Sequence, residues 1–296
     1  MKNVKILGVG VATMDIYLDR GRMYPGGNEY NVAANAQYLG ASAGFLGVFA
    51  NDRAGEILEQ TLINRGVDVS MCHHEEGSSG YSLVRLKPDG DRIFLDWNKQ
   101  GVTDLHPIQF TPEEMDYVKQ YDVVSVGRCA DVPLFKIRYL HSQGVKVCYD
   151  YHAIYSDNAI RKLSPYVEYA FFSASHLTMD EIRHTLKLAC DNGTKIAVAT
   201  QGSDPVIAYD GDRFYEQECF RVQATDALGA GDSFIGGFLT FYLHEKKNGN
   251  SREEAIKTAL IHAARHSAHV VQIEGSIGIG YDVDPNKIDE IINMES

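Results

Sequence analysis

The segment Thr225–Phe234, TDALGAGDSF, has the residue types and spacing best suited to chemistry in this chain. Gly229, Ala230 and Gly231 are small, so an anion can approach the backbone closely there. The apolar run after them predicts a helix, whose start offers unpaired N–H groups and the positive end of a dipole. Asp232 lies in this anion-attracting turn and could accept a proton from a hydroxyl that attacks the γ-phosphate of ATP. The segment therefore predicts a kinase for a small alcohol.

A second polar segment, Gly26–Ala33 with the sequence GGNEYNVA, resembles a ligand-binding turn. Its paired glycines allow close approach of the backbone, and Asn28 and Asn31 open a helix where polar side chains can meet sugar hydroxyls. Asp15, near the end of an early strand, could accept hydrogen bonds from two vicinal hydroxyls, because each carboxylate oxygen has two lone pairs. A turn or capping role for Asp15 is the alternative.

Hydrophobic periodicity predicts the elements that position these two segments. Strands and helices alternate, which is typical of a parallel sheet covered by helices. The Pro-Asp-Gly within Lys87–Asp91 predicts a hairpin between two further strands. The predicted strands are 4–9, 11–18, 43–49, 81–86, 92–97, 123–126, 145–149, 167–172, 196–199, 206–209 and 213–215, and the better-defined helices are 28–39, 54–65, 230–245 and 252–271.

From this pattern we expect an α/β fold. A doubly wound, mostly parallel sheet flanked by helices would form one domain over residues 1–296. A small β-sheet lid would draw its strands from about residues 11–24 and 79–103. Such a lid would exclude water, which otherwise competes for the γ-phosphate.

Composition limits the classes of function. The chain has 296 residues, 44% of them hydrophobic and 23% charged, as in an ordinary globular enzyme. Its net charge of −12 argues against a nucleic-acid partner. Five scattered cysteines without paired spacing favour a reducing compartment, and no apolar run approaches the roughly 20 residues that span a bilayer. The opening apolar run is too short for a signal peptide. We expect a cytoplasmic protein without a membrane partner.

Two other clusters allow more than one interpretation. Cys72, His73 and His74 are adjacent on a polar stretch and have no second pair at zinc spacing, so we interpret them as a surface loop. Tyr149–His152 closes a predicted strand, at the edge where open α/β sheets bind ligands. This segment could line a substrate pocket or be an ordinary loop.

Taken together, GGNxxN near residue 30 and DxxGAGD at 226–232 resemble the ribokinase-like carbohydrate kinases, also called the PfkB family. The resemblance extends from Val4 to about Gly280. It implies ATP and Mg²⁺ as cofactors, an α/β core, and a lid that in many members also forms a homodimer. Within the family, residues 26–28, 91–94 and 173–175 look most like those of fructoselysine 6-kinases.

The resemblance also implies roles for individual residues. Asp232 would be the general base, with the amides of Gly229, Ala230 and Gly231 as the anion hole. The sugar would be held by Asp15, Gly27, Asn28 and Asn31, and Arg92 of the lid hairpin would meet the substrate or close over the phosphate. ATP would be bound by Thr200, Gly202, Ser203 and His262, with Ala263 keeping the adenine slot narrow. From the residue types alone, a packed or surface histidine is the favoured interpretation of His262, and a solvated hairpin charge is an equal alternative for Arg92.

Two positions depart from the family pattern. Ala227 replaces the usual Thr, which weakens the case for a monovalent cation beside the anion hole, although one remains allowed. The family's Asn-x-x-Glu is missing, and Ser173, Ser175 and His176 stand in that region, so no metal ligand is assigned. Mg²⁺ would then be held mainly by ATP phosphates and water.

The resulting hypothesis is ATP-dependent phosphorylation of a primary hydroxyl of a ketose-type sugar, with fructoselysine or a related fructosamine favoured. One alternative is a kinase of the same family that acts on fructose, ribose, 2-keto-3-deoxygluconate or a nucleoside. Another is a sugar or nucleotide sensor without catalysis, which the two departures favour and Asp232 opposes.

Overall fold

The computed structural model describes residues 1, 3–86, 92–99 and 101–284 of the 296-residue chain. Within them, the larger sheet has the strand order β13-β12-β11-β10-β9-β8-β1-β4-β5. Neighbouring strands are parallel from β5 to β11, and the last two pairs are antiparallel. The strands are β1 (Lys5–Gly10), β4 (Ser42–Ala50), β5 (His73–Glu75), β8 (Val123–Gly127), β9 (Val147–Asp150), β10 (Tyr169–Ser173), β11 (Ile196–Gln201), β12 (Asp204–Tyr209) and β13 (Phe214–Gln217).

Helices cover both faces of this sheet, as expected for a doubly wound fold. Capping boxes start three of them, in which Thr111, Thr178 and Ser251 each exchange hydrogen bonds with a glutamate three residues later. The described helices are α1 (Asn28–Tyr38), α2 (Arg53–Asn64), α3 (Val102–Leu105), α4 (Pro112–Val118), α5 (Leu134–Ser142), α6 (Asp157–Leu163), α7 (Met179–Asp191), α8 (Ala230–Lys247) and α9 (Arg252–Val270).

Two hydrophobic cores hold the layers together. One buries α1, α2, α8 and α9 against the sheet, with Phe238 among its fully buried side chains. The other buries α4, α5, α6 and α7 against the opposite face, with Leu140 and Ile182 fully buried. Burial of such side chains is the main stabilising contribution to a fold of this kind.

The order of strands reverses at β1, which lies between β4 and β8. In open α/β sheets, the connections that follow the two strands at such a point go to opposite faces of the sheet. A crevice therefore opens beyond the carboxyl ends of these strands. The first helix after β1 is α1, which carries the second polar segment. The fold therefore places that segment beside the crevice.

A smaller sheet forms the lid. Its strand order is β14-β3-β2-β6-β7, and β2 pairs in parallel with β6. The sequence missed β14, which a C-terminal segment adds by pairing Tyr281 with Met23. The strands are β2 (Thr13–Tyr17), β3 (Arg22–Gly26), β6 (Gly80–Leu86), β7 (Arg92–Trp97) and β14 (Tyr281–Asp282). The turn at 87–91 lies outside the described residues. A single domain over 1–296 stays a prediction.

The interpretation of Cys72–His74 as a loop is wrong in part. His73 and His74 belong to β5, an edge strand whose existence depends on pairing with Val48 and Phe49 of β4. Their rings diverge, with Nε2 of His73 at 2.7 Å from Glu114 and Nε2 of His74 at 3.0 Å from Glu59. No cluster of three or more metal-binding side chains occurs in the described part of the chain.

The described helices were also compared with the length and hydropathy that a bilayer requires. None of them is both long and apolar enough to cross a membrane.

Candidate active site

Asp232 lies in the first turn of α8 and is 7% exposed. Asn28 donates to its Oδ1 at 3.0 Å, and Asn31 donates to its Oδ2 at 2.8 Å. Both amides come from the start of α1, so the two polar segments predicted from sequence meet at one carboxylate. This arrangement fixes the orientation of Asp232, as a proton acceptor in a reaction requires.

The turn before Asp232 presents backbone donors. Gly229 caps α8 with a left-handed φ of 72°, and a Cβ placed on it would lie 2.3 Å from the Cβ of Ser276. A Cβ on Gly231 would meet no atom within 4 Å, so this side of the turn faces open space. Within the described residues, the amides of Gly229 and Gly231 have no acceptor. These donors at a helix start form a suitable site for an anion.

Asn31 connects Asp232 to the segment that follows α9. Its Oδ1 accepts a hydrogen bond of 2.6 Å from Ser276, a fully buried residue that follows α9. The carboxylate of Asp15, on β2 of the lid, lies against Gly26, because a Cβ there would be 2.4 Å from Asp15 Oδ2. The structure thus brings Asp15 and Asn31 to the same side of the Gly26–Gly27 turn. Sequence reasoning did not identify Ser276, although a Gly-Ser pair after a long helix was a usable signal.

Asp226, the first acidic residue of the DxxGAGD motif, anchors the turn to the lid. Its carboxylate is fully buried and accepts hydrogen bonds from the Tyr17 hydroxyl at 2.7 Å, the Leu228 amide at 2.9 Å and the Gly275 amide at 3.0 Å. Three protein donors already satisfy this group. These donors use three of the four lone pairs of the carboxylate, so Asp226 anchors the turn and offers at most one position to a monovalent cation.

The buried carboxyls of Glu29 and Asp150 also adjoin the crevice, and the sequence does not predict Glu29 as a site residue. Glu29 is 1% exposed, and its Oε2 accepts from the Val11 amide at 3.1 Å. Asp150 ends β9 in the segment for which the sequence allows either a pocket or a loop, and it is buried. Burial, with smaller contributions from the charges of Asp232 and Asp150, raises the pKa of Glu29 to about 8. Burial also raises the pKa of Asp150.

Strand ends without side chains make room for Glu29. A Cβ on Gly10, the last residue of β1, would lie 2.4 Å from Glu29 Oε2. A Cβ on Gly127, the last residue of β8, would lie 2.8 Å from Glu29 Oε1. The Glu29 carboxyl therefore lies across the ends of the two strands that flank the crevice.

The residues expected to bind ATP lie apart from this network. Thr200 is near the carboxyl end of β11, and Gly202 and Ser203 form the turn into β12. His262 of α9 stacks on Phe241 of α8 at 4.2 Å between ring centroids, and burial lowers its pKa. Ala263 packs at Gly237 between the same two helices. These contacts are internal packing, so the adenine-binding role of His262 stays a prediction.

Arg92 was expected to meet the substrate. It begins β7, but its side chain lies outside what the structure describes, and its role stays a prediction. Ser173, Ser175 and His176 lie at the end of β10 or just beyond it, and the described residues include no metal-binding cluster there. A protein cage for Mg²⁺ is therefore not found among them.

Comparison with known proteins extends this picture. The family model described as "pfkB family carbohydrate kinase" matches residues 7–277. The chain is 33% identical over 280 residues to fructosamine kinase FrlD of Bacillus subtilis, covering 94% of each chain. It is 30% identical over 234 residues to fructoselysine 6-kinase of Escherichia coli, covering 78% of this chain and 86% of that one.

Solved structures agree on the fold. Arabidopsis thaliana ribokinase, in complex with ribose and ATP, superposes with a TM-score of 0.76 at 20% identity and full coverage of both chains. Giardia lamblia ribokinase gives a TM-score of 0.80 at 14% identity, covering 97% of this chain and 98% of that one. At such identities the likeness concerns the fold alone.

Proposed function

The chain belongs to the pfkB family of carbohydrate kinases and is an ATP-dependent sugar kinase, and on this premise we propose that it phosphorylates a primary hydroxyl of a fructosamine, with fructoselysine or a close relative as substrate. The two relatives at 33% and 30% identity support this substrate class, because both are named for such sugars. The observation that carries the mechanism is the fixed carboxylate of Asp232 beside the unpaired amides of Gly229 and Gly231.

In the proposed reaction, Asp232 accepts the proton of the substrate hydroxyl while that oxygen attacks the γ-phosphorus and ADP leaves. The amides of Gly229 and Gly231 stabilise the negative charge on the phosphoryl oxygens, as preorganised donors do in other phosphoryl transfers. The Ala230 amide, which the sequence also predicts for the anion hole, already donates to the Ala227 carbonyl oxygen at 3.3 Å. Asp15, Gly27, Asn28 and Asn31 hold the sugar, and Arg92 approaches from the lid. The lid excludes water from the closed site.

For the nucleotide, we propose that Thr200, Gly202 and Ser203 lie along the ATP phosphates and ribose, with His262 near the adenine. Mg²⁺ would enter with the ATP phosphates and keep several water ligands, as this ion does in many sites. When bound, it would neutralise part of the phosphate charge.

We further propose a homodimer formed through the lid. Ile93, Leu95 and Trp97 alternate along the edge strand β7 and are 43%, 42% and 60% exposed. Three large, exposed apolar side chains on an edge strand favour contact with a second copy. We also propose a cytoplasmic location, which is supported by the five cysteines, all of them free thiols.

A panel of sugars with ATP and Mg²⁺ tests the substrate proposal. ADP release would be measured with fructoselysine, fructosylglycine, fructose, ribose, 2-keto-3-deoxygluconate and a nucleoside. We expect the highest kcat/KM for a fructosamine. Turnover of fructose without turnover of either fructosamine would contradict the proposed substrate and leave the kinase activity intact.

A further inference from the structure

Arg128 is the first residue after β8, and β8 borders the crevice where the strand order reverses. Ligands of open α/β sheets bind at this position, beyond the carboxyl ends of the strands. Arg128 opens a short 3₁₀ turn, Arg128–Ala130, and its side chain is exposed. The position offers a cation at the rim of the crevice.

The guanidinium of Arg128 is held in place but keeps most of its donors. Nη1 donates to the carbonyl oxygen of Ile154 at 2.7 Å. In the part of the chain that the structure describes, no carboxylate forms an ion pair with Arg128. A guanidinium has five N–H donors in a rigid fork, so several remain for a ligand. Because the hydrogen bond to Ile154 already restricts the Arg128 side chain, that side chain loses less conformational entropy when a ligand binds.

The loops after β8 and β9 meet where Arg128 contacts Ile154, and each contains a residue with an unusual backbone conformation. Asp131, after β8, has a φ of 45°, and His152, after β9, has a φ of 55°. Residues other than glycine rarely adopt such left-handed values, and they cluster at ligand sites where the surroundings hold them. Ile154 is 69% exposed, so the rim beside Arg128 also has an apolar surface.

The crevice has buried carboxyl groups at its floor and a cation at its rim. The buried carboxyls of Glu29 and Asp150 lie at the ends of β1, β8 and β9, whereas Arg128 is exposed beyond them. A fructosamine of an amino acid has the same order of groups: hydroxyls, then a secondary ammonium, then a carboxylate. The two orders are complementary if the primary hydroxyl lies at Asp232, because the buried carboxyl oxygens can accept hydrogen bonds from the ammonium and the Arg128 guanidinium can pair with the carboxylate.

We propose that Arg128 binds the carboxylate of the amino-acid part of the substrate and thereby selects sugar–amino acid conjugates over free sugars. This inference rests on the proposed function, whose substrate class it narrows. Arg128 is a specificity-determining residue at the far end of the substrate and takes no part in proton or phosphoryl transfer. The planar fork of arginine fits a carboxylate through two parallel hydrogen bonds.

Two matched pairs of substrates test the proposal. In each pair, one member lacks only the carboxylate: fructosylglycine against fructosyl-methylamine, and fructoselysine against fructosyl-1,5-diaminopentane. Fructose and fructose 1-phosphate complete the set, the latter to distinguish a phosphate from a carboxylate as the anion. The proteins are the wild type, Arg128→Gln, Arg128→Lys, and the control Arg138→Gln, whose guanidinium lies 5.0 Å over Tyr166 at the opposite edge of the sheet.

We expect the wild type to prefer the carboxylate-bearing member of at least one pair by about tenfold or more in kcat/KM. Arg128→Gln should abolish that preference through KM, Arg128→Lys should restore part of it, and fructose turnover should stay unchanged in all proteins. An unchanged melting temperature would confirm that Arg128→Gln folds.

Three results would overturn the inference. In the first, wild type and Arg128→Gln phosphorylate both members of each pair with the same preference, while the proposed function stands. In the second, Arg128→Gln lowers turnover of every substrate equally. In the third, fructose 1-phosphate is the preferred anion. Turnover of fructose but of no fructosamine would remove the proposed function and this inference together.

Discussion

At the scale of single residues, the site depends on how carboxyl groups are held. Asp232 accepts two amide hydrogen bonds from α1, whereas Glu29 accepts one from the Val11 amide and is almost fully buried. Because their surroundings differ, the two carboxyl groups differ in how readily they ionise, although they lie in one crevice. In the proposed reaction Asp232 takes the proton from the substrate, whereas burial opposes the ionisation of Glu29.

Replacing Asp232 with Asn tests the proposed base. The variant should lose about 10²- to 10⁴-fold in kcat, because the proton acceptor is gone, with sugar and ATP binding largely retained. Asp116→Asn, an exposed change on α4, is the control and should keep full activity. Steady-state kinetics and calorimetric binding provide the measurement. A variant with kcat near that of the wild type would show that Asp232 is not the base.

Glu29 predicts a dependence of stability on pH. Its pKa of about 8 in the folded protein exceeds the ordinary value of 4.5, so between these values the folded state holds a proton that the unfolded state releases. The contribution is complete below about pH 4.5 and is lost as pH rises through 8. The Glu29→Gln variant keeps a side-chain oxygen that can accept the hydrogen bond from the Val11 amide. It has no ionisable group at this position, so it should not lose this stability as pH rises.

We therefore expect the difference in unfolding free energy between Glu29→Gln and wild type to grow in favour of the variant as pH rises from about 5 to 8. The change should be up to about 1.4 kcal/mol per pH unit. Urea denaturation across this range measures it. The exposed Glu56→Gln serves as the control. Equal slopes for Glu29→Gln and wild type would refute the assignment.

At the scale of elements, one buried hydrogen bond joins the lid to the anion-binding turn. The Tyr17 hydroxyl at the end of β2 donates to Asp226, 209 residues away in sequence. Around it, Tyr17, Tyr24, Val84 and Leu228 form a small apolar cluster of their own. The lid and the turn before α8 are therefore fixed to each other at a point close to Asp232.

Removing this hydroxyl should weaken the connection. Tyr17→Phe leaves a fully buried carboxylate with one donor fewer, so we expect a loss of about 1.5–3 kcal/mol in unfolding free energy and a lower kcat. Tyr24→Phe is the matched control, because its hydroxyl donates at 2.6 Å to Glu274, whose side chain is 45% exposed. Denaturation and steady-state kinetics would be compared. Equal effects of the two changes would argue against a special role for the Tyr17–Asp226 bond.

At the scale of the whole molecule, exposed apolar surface occurs on the lid as well as on the outer helices. Trp97 of β7 is 60% exposed, and Phe135 of α5 is 66% exposed. The exposed apolar side chains of the lid belong to its edge strand β7, where a second copy can continue the sheet.

We expect Trp97→Lys to shift the protein toward a monomer in sedimentation velocity, because a charge would be buried at the interface. Phe135→Lys, an equally exposed apolar position elsewhere, should leave the distribution unchanged. A wild-type protein that sediments as a monomer at micromolar concentration would remove the proposed dimer.

Local patterns in the sequence were enough for much of this molecule. The alternation of strands and helices predicted the doubly wound fold. It can be recognised in the sequence because apolar residues recur with a different period in a strand than in a helix. The spacing of small residues before Asp232 predicted an anion-binding helix start, because close approach and free amides are properties of a few consecutive residues.

Long-range pairing and burial were decided only by the tertiary structure. The edge strand β5, the lid strand β14, and the Tyr17–Asp226 bond each join segments far apart in sequence. The burial of Glu29 depends on strand ends at Gly10 and Gly127 that converge only in the folded sheet. These features depend on which distant segments pack against each other. Hydrophobic periodicity indicates the type of each local element but not its partners in the fold.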